Sequence, residues 1–157
     1  MTIDVAEEHR MIIDLVEKFV DNELMPLERA VMEREASGEP VSLIKEEEVT
    51  LLAKCKELGL WALDAPEPLG GAELPTTVML AIQERLRRTV TPFIFPPDSP
   101  NLHMLMDVAT SEQKEKYLRP YAQGEMKSCI AISEPGAGSD PAQMRTRAVR
   151  EGNEWVI

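Results

Sequence analysis

The residue types in this chain that could do chemistry gather in one run, Ser133-Glu134-Pro135-Gly136-Ala137-Gly138-Ser139-Asp140-Pro141. Gly136 and Gly138 would allow positive φ and the close approach of a ligand to the backbone. Ser139 and Asp140 suit a helix N-cap, and Pro141 suits the first helical position. The run follows Ser128-Cys129-Ile130-Ala131-Ile132-Ser133, whose composition predicts a strand. A strand, a glycine turn and a helix start in that order could hold an anion, because free N–H groups and the helix dipole converge there. The spacing after Gly138 departs from G-x-G-x-x-G, and no Lys-Ser/Thr follows as a P-loop requires. A tight strand-to-helix turn with no ligand accounts for the same residues equally well.

The rest of the chain limits which ligands this run could serve. At 157 residues it is long enough for one domain with a real core. Aromatic residues are few, so Leu, Val, Ile and the nine Met must fill that core. The net charge of −11 excludes nucleic acid as a partner, since phosphate binding needs a basic footprint. An anionic ligand would be held by local donors against the overall field. The charge run Lys45-Glu46-Glu47-Glu48 reads as a solvated helix face. Cys55 and Cys129 are far apart, without metal-type spacing, and fit reduced thiols in a reducing compartment. Both read as buried small hydrophobes rather than nucleophiles. His9 and His103 have no ligand pattern around them, so no metal is expected. The acidic, amphipathic N-terminus lacks the features of a signal or transit peptide, and no apolar run reaches the length of a membrane span. These features predict a soluble protein of the cytoplasm, or of the mitochondrial matrix in a eukaryote.

The elements that must position the run are mostly helical. Residues 3 to 25 carry the stripe Ile12, Leu15, Val16, Phe19 and Val20, and Pro26 is expected to end or kink that helix. A second segment through Leu27, Ala30 and Val31 stops near Gly38. Ser42 to Leu58 predicts a helix with Leu51, Leu52, Cys55 and Leu58 inward and Gly59 as a left-handed cap. A turn-rich loop, Pro66-Glu67-Pro68-Leu69-Gly70-Gly71, leads to a helix opened by Leu74 and Pro75, with Val78, Met79, Ile82 and Leu86 on one face. Residues 90 to 100 are Pro-rich, and three Pro after an apolar triplet exclude regular structure over most of this stretch. Helix resumes from Asn101 to Ala109, and again from Ser111 to before Gly124, where Thr110 and Gln113 form a capping-box pattern. The texture turns to β near Lys127. Thr146 to Arg150 and Glu154 to Ile157 suit a hairpin about Glu151-Gly152-Asn153. The division is therefore 1–126 helical and 127–157 the beginning of a β-domain, a mainly α chain. Those strands alone would leave open edges, so the sequence is expected to be one part of a larger protein.

Several motifs in order resemble the acyl-CoA dehydrogenase family, flavoproteins that oxidise the α,β bond of acyl-CoA thioesters. Glu57-Leu58-Gly59-Leu60-Trp61 followed by Pro66 to Gly71 is similar to the family's LGLxxL…PExxGG pattern. Thr110-Ser111-Glu112-Gln113-Lys114-Glu115-Lys116-Tyr117-Leu118 resembles its GTxEQKxxYL helix, and Gly124-Glu125 precedes the strand as in the family. Ser133 to Asp140 resembles the signature TEPGAGSD, with Ser in place of the usual Thr, so the hydroxyl is kept. Asn153-Glu154-Trp155-Val156-Ile157 resembles the strand that leads to the family's next motif. The resemblance spans essentially the whole chain. Pro96 to Leu105 is also similar to a subgroup related to members fused to phosphotransferase-like domains, which fixes no substrate.

The resemblance implies an N-terminal all-helical domain followed by the first strands of an incomplete β-barrel domain. It implies FAD as cofactor, lined by Ile130, Ala131, Ile132, Ser133, Gly138 and Ser139. Ser133 matches the residue that hydrogen-bonds the flavin, Gly138 and Ser139 match positions near its pyrophosphate, and Ser139 also matches a contact to the CoA thioester substrate. No catalytic residue is expected within the chain, because the family's base is a carboxylate of a C-terminal helical bundle, beyond Ile157. Glu134 is accordingly structural, and Arg145 and Arg147 flank the hairpin as surface charge. Electron-transfer flavoprotein is the implied acceptor and a homo-oligomer the implied assembly. By itself the chain is expected to lack dehydrogenase activity and to bind FAD weakly or not at all. Two alternatives stay open: a non-catalytic truncated or split paralogue that binds a partner through its helix faces, and an acyl-CoA oxidase or flavin monooxygenase of the same fold.

Overall fold

Helix α1 (Glu7–Phe19) buries Val16 and Phe19 along the stripe that the spacing predicts. The computed structural model describes residues 6–97 and 99–157, without the side chains of Glu8, Ser99 and Pro100, so the predicted helix start at residues 3 to 5 and the position of Asp98 lie outside it. Pro26 does not end the helix. The chain widens into a π-helical turn at Val20–Leu24, tightens into a 3₁₀ turn at Met25–Leu27, and continues as α2 (Glu28–Ala36). The wide turn bonds Met25 N–H to the Val20 carbonyl, so the missing N–H of Pro26 falls where the ladder changes pitch and costs little.

Helix α3 (Lys45–Leu58) starts three residues later than the sequence predicts. Glu47 is the reason: its carboxylate accepts from the Ile44 N–H at 3.1 Å and fixes the start there. Gly59, at φ +71°, closes the helix as expected. The charge run is thus not only a solvated face. Glu47 also takes a bidentate pair from Arg34 of α2, at 2.9 and 3.2 Å, with the two side chains only 15% and 17% exposed. Helix α4 (Thr76–Leu86) lies along α1 and buries Val78, Ile82 and Leu86.

Residues 90–97 of the Pro-rich segment carry no helix or strand, whereas Ser99 and Pro100 already begin the next helix, and the irregular part builds the core. Phe93 and Phe95 come from it and Phe19 from α1, and the three ring centroids lie 5.5 to 5.6 Å apart. They are the only phenylalanines in the chain. Buried Thr91 donates its hydroxyl to the Leu24 carbonyl at 2.8 Å, tying the segment to the π-helical turn.

Helix α5 (Ser99–Val108), the short α6 (Ser111–Gln113), a π-helical turn at Lys114–Leu118 and α7 (Arg119–Gln123) complete the helical part. The Thr110–Gln113 capping box forms in both directions, at 2.9 and 3.3 Å. Leu102, Leu118, Tyr121 and Ala122 pack with Ala62 and Ala65 in a second apolar cluster. His103 pairs with Asp64 at 3.1 Å.

The chain divides into two compact units, Met1–Lys127 and Ser128–Ile157. In the second, β1 (Val149–Glu151) and β2 (Glu154–Val156) form an antiparallel hairpin with Val149 opposite Val156 and Glu151 opposite Glu154. Gly152, at φ +64°, makes its turn. The predicted strand at 128–133 is not one: these residues carry no ladder. Their β-prone composition has no neighbouring strand to pair with, and strand structure is a property of the pair. Cys129, expected to be buried, is exposed for the same reason, whereas Cys55 is fully buried. The architecture is mainly α. Among the described residues no helix is long and apolar enough to cross a membrane, and no cluster of His, Cys, Asp and Glu could hold a metal.

Candidate functional site

The turn singled out by the sequence is built around one residue. Glu134 and Ala137 exchange backbone hydrogen bonds in both directions, each at 3.1 Å, which closes a four-residue turn over Pro135 and Gly136. Proline at the second position pre-sets φ for such a turn. Ala137 is the one buried residue of the loop.

Two expectations about this turn are corrected. Neither Gly136 nor Gly138 takes a left-handed φ; the glycines that do are 38, 59, 70, 124 and 152. A Cβ built on either would meet nothing within 4 Å, so the chain's own packing makes no demand for glycine there. The second correction concerns the helix start. Asp140 does cap, accepting from the Ala142 N–H at 3.0 Å. What it caps is a single 3₁₀ turn, Pro141–Gln143, before the chain extends again at Met144. One turn sums too few peptide dipoles to make the anion site that the sequence suggests.

Ile130, Ala131, Ile132, Ser133, Gly138 and Ser139 are all exposed. Ile130 and Ile132 present 61% and 60% of their surface, an apolar pair at strand spacing. Among the described residues, the chain itself engages neither the Ser133 nor the Ser139 hydroxyl.

The sequence left Glu134 as scaffold without saying what it supports. Its carboxylate accepts from the N–H of Arg145 and the N–H of Thr146, each at 2.8 Å. The Thr146 hydroxyl, then these two amides, hold its carboxyl below the usual carboxylate range. A group stabilised as the anion by three donors is a poor proton acceptor, so the geometry argues against Glu134 as a base. No periodic signal could have revealed this contact, because its partners lie eleven and twelve residues on, in irregular chain.

The other family-like pattern serves the fold. A Cβ on Gly71 would run into the carbonyls of Ala65 and Ala62, the latter at 2.6 Å, where residues 62–65 pair with 72–74 through Glu73 N–H to Ala65 O and Leu74 N–H to Leu63 O, each 2.9 Å. Trp61 donates its indole N–H to the Ala122 carbonyl at 2.7 Å, and Lys56 covers the ring 4.4 Å from its centroid. Burial pushes the Cys55 thiol up to about 12, which removes it as a nucleophile.

With the geometry in place, likeness to known proteins becomes informative. Residues 6–125 match the family profile described as acyl-CoA dehydrogenase, N-terminal domain. The chain belongs to the acyl-CoA dehydrogenase family. It is 36% identical to (R)-benzylsuccinyl-CoA dehydrogenase of Thauera aromatica over 100% of this chain and 41% of that protein. It is 31% identical to the mitochondrial short-chain specific acyl-CoA dehydrogenase of Rattus norvegicus, over 99% of this chain and 36% of that one. Among solved structures, the acyl-CoA dehydrogenase of Bacillus anthracis complexed with FAD superposes with a TM-score of 0.65 at 29% identity, covering 94% of this chain and 25% of its own. The chain thus spans about two fifths, or less, of the relatives it matches.

Proposed function

We propose that residues 1–126 and 127–157 are the N-terminal helical domain and the opening of the β-domain of an FAD-dependent acyl-CoA dehydrogenase, which converts an acyl-CoA thioester to the trans-2-enoyl-CoA. One observation carries the reading: in a chain of this family, the exposed turn keeps the hydroxyls of Ser133 and Ser139 unengaged by the chain itself. Open space also stands where Gly136 and Gly138 lack a Cβ.

These residues fit FAD. Ile130, Ala131 and Ile132 offer apolar surface to a planar ring. Ser133 offers a hydroxyl and an N–H to its polar edge. Gly138 and Ser139 would offer N–H groups to a pyrophosphate, and the Ser139 hydroxyl would serve the thioester of the substrate. When bound, FAD supplies the two-electron chemistry, accepting the β-hydrogen as hydride, which no side chain can do. The α-proton needs a carboxylate within hydrogen-bond reach. Glu134 is held by two amides and Asp140 by its cap, so we assign that proton to a carboxylate elsewhere in the full-length protein. We further assign electron-transfer flavoprotein as acceptor, a homo-oligomer as the assembly, and the cytoplasm or mitochondrial matrix as the compartment.

The test is made on the full-length protein. It should purify with stoichiometric flavin, bleach on addition of an acyl-CoA thioester, and recover its colour with electron-transfer flavoprotein. A colourless protein, or a flavin that no acyl-CoA bleaches, overturns the reading. Recovery with oxygen alone makes the protein an oxidase instead.

A further inference from the structure

Glu134 has no part in the reaction as proposed, yet its placement is closely determined. Its N–H and C=O both bond Ala137 and so close the turn. Its two carboxylate oxygens accept from consecutive amides further along, Oε2 from Arg145 and Oε1 from Thr146, each at 2.8 Å. Two adjacent N–H donors aimed at one side chain call for two acceptor oxygens, which only a carboxylate provides. Glutamine would turn an NH₂ toward one of them.

We propose that Glu134 is a positioning residue: its clasp on the Arg145 and Thr146 amides sets the conformation in which the turn presents the Ser133 and Ser139 hydroxyls. The inference rests on the cofactor and thioester roles proposed above for those two serines. It adds a residue that touches neither ligand and acts through the turn it holds. Asp140, the other carboxylate of the run, is committed to Ala142 N–H and to the Gln143 side-chain amide at 3.0 and 3.3 Å, and leaves the clasp to Glu134.

Amide exchange by NMR on the 157-residue chain tests the clasp. Glu134→Gln should raise exchange at Arg145, Thr146 and Ala137 about tenfold. Glu134→Asp keeps both oxygens and should restore part of the protection. Unchanged resonances of Trp61 and Ile82 report that the helical unit still folds. FAD is then titrated into the flavin-free full-length protein and followed at the Ser133 and Ser139 amides. Glu134→Gln should need about tenfold more FAD for the same shift, a response that a purely architectural role would not move.

Unaltered exchange at Arg145 and Thr146 in Glu134→Gln overturns the proposal. Faster exchange with an unaltered FAD response overturns it too, leaving Glu134 as architecture. If FAD moves neither serine in the full-length parent protein, it is the cofactor reading of the turn that fails. Exchange at Ala137 then decides alone whether the clasp sets the turn.

Discussion

Gly124 lies directly against the indole of Trp61, with a built Cβ only 2.7 Å from ring atom Cη2. The contact is tight because Trp61 is tethered to the neighbouring carbonyl of Ala122 at 2.7 Å. Gly124 also caps α7 at φ +78°, so two independent demands, backbone and space, fall on one residue. Gly124→Ala should destabilise the helical unit by about 2 kcal/mol. Trp61→Phe, which strands the Ala122 carbonyl, should cost about 1–3 kcal/mol. Denaturant unfolding of Trp61→Ala with Gly124→Ala should show a double change less costly than the sum, because removing the ring makes room for the methyl.

Glu47 joins two helices and starts one of them. Glu47→Ala removes the Arg34 pair and the cap on Ile44 together, and should cost about 2–3 kcal/mol. Arg34→Met should cost less, since Glu47 keeps its bond to Ile44. It also removes the buried Arg34 Nε, which has no hydrogen-bond partner. Equilibrium unfolding of the two variants checks the order.

The two thiols should separate cleanly. Cys55 is fully buried, with its thiol pushed up to about 12, and Cys129 is exposed. A disulfide reagent near neutral pH should label Cys129 in the native chain and reach Cys55 only on unfolding. Mass spectrometry of the labelled peptides gives the answer, and rapid native labelling of Cys55 would contradict the packing around it.

The Glu134 clasp should depend on pH in one direction. The Thr146 hydroxyl and the Arg145 and Thr146 amides lower the folded value of this carboxyl. A lowered folded value means that the clasp stabilises the turn above the unfolded carboxylate range and is lost as pH falls through the folded value. Protection factors at Arg145 and Thr146 should hold from neutral pH down through the usual carboxylate range and fall only below it. Loss of protection already near pH 6 would show that another group controls these amides.

Much of the helical unit was legible because periodic burial and caps are local signals. The stripe from Ile12 to Val20, the stops at Gly59 and Gly124 and the Thr110–Gln113 box were each readable within a few residues of chain. The π-helical turn at Val20–Leu24, just before Pro26, was not; the Leu24 carbonyl at its end accepts from Thr91, far along the sequence. In the candidate site, a turn between Ser133 and Pro141 was foreseeable, but not its glycine conformations or the brevity of the 3₁₀ turn after it. The strand before it was not formed, since a ladder needs a partner, and the partners of Glu134 could not be read from spacing. The glycines also changed meaning. Gly71 is demanded by its own backbone neighbours, while among the described residues a Cβ on Gly136 or Gly138 would meet nothing within 4 Å.

The Pro-rich segment looks like a connector in the sequence and would be an obvious place to insert a tag or a protease site. With Phe93 and Phe95 completing the aromatic trio around Phe19, and Thr91 hung on Leu24, it is a wall of the core. A break between residues 91 and 97 would therefore unmake the first unit, whereas one in the exposed Ser37–Pro40 turn should be tolerated.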